Sequence, residues 1–275
     1  PIDERRVATD TNLEGEVLSD TQPFPTKPLP FEYQGSSIED LVDFTPELRE
    51  MAIEAVNNHR LGGLFSPPMV AVENGIQGTI QRPALAGGAN WMGSAVDPET
   101  GILYVPSNNA YSILRYITPD EEGANLRYTQ GGFDTPNLMP QGLPLFKPPY
   151  SRITAIDLNT GDHTWMQPSG DGNRFRNHPR LRDLDLQPVG GDGARNGPVL
   201  TKTLLVSALT AGCVSNEDGP RLVARNKQSG EIVGSIDLPA GSIGTPMTYM
   251  HDGKQYIAIT VGGTVPELLA FALPD

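Results

Sequence analysis

Ala155-Ile156-Asp157-Leu158-Asn159-Thr160-Gly161-Asp162-His163-Thr164-Trp165 reads as a strand, an Asp-x-x-Thr-Gly turn and a second strand. The apolar run ends at Asp157, and glycine stands where a hairpin turn needs a left-handed backbone. Ala224-Arg225-Asn226-Lys227-Gln228-Ser229-Gly230-Glu231-Ile232-Val233-Gly234 repeats the spacing, and Val96-Asp97-Pro98-Glu99-Thr100-Gly101-Ile102-Leu103-Tyr104 carries the same turn. Hairpins that recur with a common turn are the signature of a β-propeller, whose blades are four-stranded sheets stacked radially so that both faces are buried. Three or four blades fit this length. An open arc of that size leaves blade faces and strand edges uncovered, so half a propeller calls for its other half.

Outward from these turns the chain keeps the same character. Short apolar runs bounded by Gly, Pro, Asp and Asn predict mostly antiparallel strands at Gly78 to Gln81, Ile102 to Val105, Ile153 to Leu158, Leu204 to Leu209, Leu222 to Asn226, Ile232 to Leu238, Tyr256 to Val261 and Leu268 to Leu273. One helix stands out near residues 46–59. Thr45 suits the N-cap and Pro46 the first helical position, while Leu48, Met51, Ala52, Ala55 and Val56 recur at helical spacing. The helix is expected to reach about His59, with Gly62-Gly63 beyond it. Residues 1–36 read as an extended strap, because Pro23, Pro25, Pro28 and Pro30 each fix φ and push the preceding residue toward β or polyproline geometry. Residues 37–63 then form a helical insertion and 64–275 the blades, all within one domain. Asp120 to Tyr150 and Pro168 to Gly193 lack periodicity and read as insertions over a face of the fold.

The 275 residues suffice for one large domain or two small ones, and 30 Gly with 26 Pro, about a fifth of the chain, argue against a helix bundle. With 20 Lys+Arg against 33 Asp+Glu the formal charge is -13, which repels nucleic acid as a default partner. Residues 1–60 carry much of that excess. The single cysteine, Cys213, can close no internal disulfide and no thiolate zinc site alone; it reads as a small apolar residue in or after a strand. No apolar run approaches a membrane span, and Pro1-Ile2-Asp3-Glu4-Arg5-Arg6 has no signal-peptide core.

Several stretches together resemble the quinoprotein dehydrogenases that use pyrroloquinoline quinone, most closely the membrane-bound glucose dehydrogenase type. They are GEVLSDTQPFPTKPLPF (15–31), DFTPE (43–47), GLFSPP (63–68), GGANWMGSAVDPETGILYVPSNN (87–109), AIDLNTGDHTW (155–165), GTPMTYMHDGKQYIAITVGG (244–263) and LLAFALPD (268–275). The resemblance implies an all-β chain forming the C-terminal half, roughly, of an eight-bladed propeller with tryptophan-docking repeats. Trp165 takes the docking position, and Gly234 stands at that position in the second repeat, so one dock is lost.

It also implies a periplasmic enzyme that oxidises a sugar, alcohol or polyol and passes electrons to a quinone or cytochrome acceptor. A general base, Ca²⁺ ligands and a quinone-contacting lysine are expected upstream, as is any membrane anchor, so this chain carries no catalytic residue or metal ligand and should be inactive alone. The remaining half of the propeller is its expected partner, with Phe24 to Phe31 along the join. Asn90 and Trp91 resemble the Asn-Trp pair that lies against the quinone, and Asn108 is a further cofactor candidate.

Each of these has a plainer alternative. Asn90-Trp91 reads equally as a turn amide and a buried indole packed between blades. Gly87-Gly88 allow close approach of a ligand or serve a tight turn. His59, His163, His178 and His251 show no metal-binding spacing, and Arg174, Arg176, Arg180 and Arg182 read as a solvated loop. The loop Gly262-Gly263-Thr264-Val265-Pro266-Glu267 departs from relatives that carry a His-Gly element there, which leaves the substrate open. A noncatalytic propeller segment serving as a binding or assembly module is the second functional reading.

Overall fold

The computed structural model describes residues 1–120, 123–131, 137–191, 197–209 and 219–272. Its first elements are β1 (Ile2–Arg6), β2 (Thr21–Pro25), α1 (Pro46–Ala55), β3 (Met69–Val70), β4 (Thr79–Gln81), β5 (Ala95–Asp97) and β6 (Ile102–Asn108). Then come β7 (Ser112–Ile117), β8 (Thr129–Gln130), β9 (Ser151–Asp157), β10 (Asp162–Pro168), α2 (Asn173–Arg176), β11 (Val199–Leu200), β12 (Leu204–Ala208) and β13 (Arg221–Asn226). β14 (Ile232–Asp237), β15 (Met247–His251), β16 (Lys254–Val261) and β17 (Glu267–Ala272) are the last elements of the described residues. Two compact units result, Pro1–Gly88 with Asn109–Lys147, and Ala89–Asn108 with Pro148–Asp275.

In the first unit, β1 and β2 pair antiparallel, with Glu4 opposite Pro23 and Ile2 opposite Pro25. The proline-rich segment is thus extended but forms a ribbon with a strand that was not expected. All five residues of β1 are exposed, so no apolar alternation announces it. Asn12 clips this segment down like a strand, donating to Val70 O at 2.8 Å and accepting from Val70 N at 2.7 Å. Helix α1 starts as expected, with Leu48 N donating to Thr45 Oγ1 at 3.2 Å, and buries Leu48 and Ala52. It stops at Ala55, short of His59. Val56 takes φ -99° and ψ 0°, and Asn57 N and His59 N donate to Glu54 O and Val56 O in single turns, consistent with the poor helix propensity of Asn57-Asn58-His59. Residues 40–43 lie antiparallel to 145–147, with Val42 N donating to Leu145 O at 2.9 Å. The guanidinium of Arg82, only 1% exposed, lies between the rings of Tyr33 (3.8 Å) and Phe146 (4.4 Å). Strand β7, absent from the sequence expectation, is flanked by β4 antiparallel and by β3 in a parallel pair.

Among the described residues the second unit holds three antiparallel sheets. Two have four strands, ordered β10-β9-β6-β5 and β11-β12-β13-β14, and the third has three, ordered β15-β16-β17. The first sheet packs on the second through Ala95, Tyr104, Ile153, Ala155 and Leu205, and the second on the third through Val206, Leu222, Ile259 and Val261.

The three repeated turns are superposable in their bonding. Gly101 N, Gly161 N and Gly230 N donate to the carbonyls of Asp97, Asp157 and Asn226 at 2.8, 2.7 and 2.8 Å, and the glycines have φ of 75°, 74° and 74°. Within each turn the first side chain accepts from the backbone N–H two residues on. Trp165 then links the first sheet to the third of these turns. Its indole Nε1 donates to Lys227 O at 3.1 Å, its ring lies 5.7 Å from that of Tyr104, and a Cβ at Gly230 would sit 2.6 Å from its Cε3. Lys227 Nζ also meets Asp97 Oδ2 at 2.6 Å, with both side chains nearly buried. Beneath this junction the buried Arg225 donates to Gly230 O and Pro168 O, both at 2.9 Å, and burial pulls its pKa down to about 10. At Gly234, the equivalent of Trp165, nothing stands within 4 Å of a built Cβ. Cys213 lies outside the described residues.

Candidate functional site

Strand register decides which residues share an end of a sheet. Ala95 pairs with Tyr104 and Asp97 with Ile102, so β5 enters the first sheet at the end opposite the Asp97-Gly101 turn. β6 runs four residues beyond Tyr104 and finishes at Asn108, opposite Ser151, at that same entry end. The segment carrying Asn90 and Trp91 leads directly into Ala95. All three expected cofactor residues therefore come to one end of one sheet, where loops rather than tight turns join the strands.

Asn90 to Gly93 form a turn closed by Gly93 N donating to Asn90 O at 3.2 Å, with Gly93 at φ 90°. The Asn90 side chain folds back so that Oδ1 accepts from Trp91 N at 2.7 Å. The turn amide of the plainer reading is thus present, but the buried indole is not: Trp91 is 94% exposed. An indole that packs between blades looks like Trp165, with a ring neighbour and a bonded Nε1. Trp91 instead offers a flat aromatic face beside a carboxamide, an arrangement that suits a planar ligand with polar edges.

Two further segments reach this turn. Thr245 Oγ1 donates to Met92 O at 3.2 Å. A Cβ built on Gly197 would lie 2.0 Å from the same oxygen, so the backbone at Gly197 is pressed against it. Gly197 precedes β11 and Thr245 precedes β15, so segments leading into all three sheets of the unit converge on Met92 O. The sequence expectation singles out neither residue. Thr245 lies within the string GTPMTY, one of the stretches that carry the family resemblance.

The other candidates resolve into structural roles. Gly88 packs under Glu32 and Pro83, with a built Cβ only 2.9 Å from Glu32 Cγ. The carboxyl of Asp97 is held below its usual pKa by its hydrogen bond from Lys227, then that from Thr100, and it lies at the turn end of the sheet. Half-buried His59 has its pKa lowered by burial and then by the Arg115 charge. Arg174, Arg180 and Arg182 are exposed, while Arg176 Nε donates to Leu186 O at 2.8 Å. Among the described residues, no group of three or more His, Cys, Asp or Glu is arranged to hold a metal ion. No helix among them is long and apolar enough to cross a membrane.

Comparison with known proteins places the chain in a family. Residues 1–257 match the family described as "PQQ: Glucose/ethanol/alcohol dehydrogenase, beta-propeller domain". The chain is 27% identical over 307 residues to the glycerol dehydrogenase large subunit of Gluconobacter oxydans (strain 621H), covering 100% of this chain and 40% of that protein. It is 27% identical over 298 residues to the quinoprotein glucose dehydrogenase of Escherichia coli (strain K12), covering 95% of this chain and 34% of that one. Among solved structures, a europium-containing methanol dehydrogenase is similar with a TM-score of 0.47 and 19% identity, over 85% of this chain and 32% of the other. The chain thus spans well under half the length of these relatives.

Proposed function

Since the chain belongs to the β-propeller family of PQQ-dependent glucose, ethanol and alcohol dehydrogenases, we propose that it forms about half of the eight-bladed propeller of a periplasmic enzyme oxidising a sugar, alcohol or polyol, and that it supplies one wall of the quinone pocket. The observation that carries this reading is Trp91, 94% exposed at the loop end of its sheet. When bound, pyrroloquinoline quinone supplies the two-electron acceptor for the substrate's hydride.

The residues of this chain bind and orient it. The Trp91 face takes the flat ring system, the Asn90 and Asn108 carboxamides offer hydrogen bonds to its polar edge, and the indole shields that side from water. The quinone's carboxylates need cations, and the substrate hydroxyl needs a base. Following the family resemblance, we assign both, together with the Ca²⁺ ligands, to the remainder of the propeller.

That remainder is the proposed partner. Among the described residues the β15-β16-β17 sheet has three strands where its neighbours have four. Ile257, Ile259, Leu269 and Phe271 on one of its faces pack toward the second sheet, while Met247 (55% exposed) and Leu268 (71%) lie on the other. An apolar face of this kind is what a further blade covers.

The test is a dye-linked dehydrogenase assay with pyrroloquinoline quinone, Ca²⁺ and a panel of sugars, alcohols and polyols. Turnover is expected when the chain is combined with the remaining propeller, and none from the chain alone. Turnover by the isolated chain contradicts the division of labour. A combined protein that binds no quinone favours the noncatalytic module.

A further inference from the structure

We infer that Gly197 and Thr245 are positioning residues of the cofactor site, fixing the turn that presents Trp91 by clamping the carbonyl oxygen of Met92 between them. The inference rests on the reading of Trp91 as a quinone-stacking residue and adds the device that sets its place. Three observations carry it.

First, the contact at Gly197 is with backbone. A Cβ built there meets Met92 O at 2.0 Å, Thr245 Oγ1 at 2.6 Å and Met92 C at 3.1 Å. Any side chain at 197 must therefore drive the carbonyl, and the turn with it, outward by about 1.4 Å or more to regain ordinary contact. The φ of Gly197 is not among the left-handed ones, so alanine at this position acts as a wedge without backbone strain of its own.

Second, Thr245 is itself firmly seated. Ile243 N donates to Thr260 O at 3.0 Å, Gly262 N donates to Gly241 O at 2.8 Å, and Ser242 Oγ donates to Gly244 O at 3.1 Å, so the segment leading into β15 is bonded along the end of β16. The Thr245 hydroxyl therefore delivers the position of the third sheet to Met92 O.

Third, an exposed turn needs such a clamp. Within the turn, Gly93 N to Asn90 O and Trp91 N to Asn90 Oδ1 shape it locally, but neither bond ties it to a sheet. Stacking is sensitive to the height and tilt of the ring, and a misplacement of about 1 Å at a reacting centre costs on the order of a hundredfold.

The test uses Gly197→Ala, Thr245→Val, Thr245→Ser and the control Trp91→Ala. In the chain itself, the two indole N–H resonances of Trp91 and Trp165 are distinguished with Trp91→Phe. Gly197→Ala and Thr245→Val are expected to move the Trp91 signal and leave that of Trp165 in place, and Thr245→Ser to restore it.

In the chain combined with its remaining propeller, quinone affinity is read by fluorescence quenching. Gly197→Ala is expected to weaken binding ten- to a hundredfold and Thr245→Val about three- to tenfold, with Thr245→Ser near wild type. If Trp91→Ala weakens binding but Gly197→Ala and Thr245→Val do not, the clamp is refuted and the site stands. If Trp91→Ala has no effect, the reading of the site itself falls. Should Gly197→Ala fail to fold, Thr245→Val against Thr245→Ser decides: equal Trp91 signals and equal affinities in the two overturn the inference.

Discussion

Replacing Gly230 by alanine separates the cost of a turn conformation from the cost of losing a tryptophan dock. Gly230 has φ 74° and Gly101 φ 75°, in turns of the same bonding pattern, so alanine at either position pays about 1–2 kcal/mol for a left-handed backbone. The surroundings differ. At Gly101 the new Cβ would lie 2.7 Å from Asn159 Nδ2, the tip of an exposed amide that can swing aside, trading its exposed bonds to Thr100 O and Asp157 Oδ1 for water. At Gly230 it would lie 2.6 Å from Trp165 Cε3 and 2.8 Å from Cζ3, against a rigid ring held on its other side by Tyr104.

That ring must retreat by about 1 Å, which forfeits a quarter to a half of its contact energy on that side and breaks the 3.1 Å bond to Lys227 O, itself worth about 1 kcal/mol. Gly230→Ala should therefore cost about 2 kcal/mol more than Gly101→Ala. At 2–4 °C per kcal/mol for a protein of this size, the two Tm values should differ by about 4–8 °C. Calorimetry of both variants, repeated in a Trp165→Ala background, measures the coupling. Equal losses at the two glycines, or an excess at Gly230 that survives removal of Trp165, would refute the docking role.

Asp97→Asn leaves the Lys227 ammonium nearly buried without its carboxylate, so the variant should melt lower at pH 7. Because the Asp97 pKa is depressed in the folded state, chiefly by the Lys227 hydrogen bond, the pair stabilises above the unfolded carboxyl value of about 3.9. Its contribution fades as pH falls through the lower folded value, so the gap between wild type and variant should close in acid. His59, depressed by burial, favours the neutral form when folded. Lowering the pH below its unfolded value of about 6.5 should destabilise the wild type, and His59→Gln should flatten that slope in thermal melts from pH 7.5 to 5. Arg82→Lys keeps the charge but loses the planar stack between Tyr33 and Phe146, and should cost about 1–3 kcal/mol by denaturant titration.

The blade strands were legible where a turn announced them. Asp97, Asp157 and Asn226 each open a bonded turn ending in a left-handed glycine, and the strands beside them fall within a few residues of expectation. β15 was not among the expected strands, although Asp252-Gly253, a strong two-residue hairpin signal, follows it directly, here with φ of 48° and 77°. β1 was not legible, because an exposed charged ribbon has no buried face to impose alternation. At the candidate site, residue type could not tell an indole packed like Trp165 from one presented like Trp91. Burial depends on segments distant in the chain. Gly197 and Thr245 were illegible for the same reason: they act on a backbone oxygen 105 and 153 residues away in sequence.

The decisive measurement is a cryo-EM map of the propeller containing this chain, loaded with pyrroloquinoline quinone and Ca²⁺. The tricyclic quinone is expected to lie flat on the Trp91 indole, at the end of the sheet where β5 begins and β6 finishes, with Met92 O still held by Thr245. A quinone bound elsewhere, or Trp91 covered by protein alone, would contradict the proposed site.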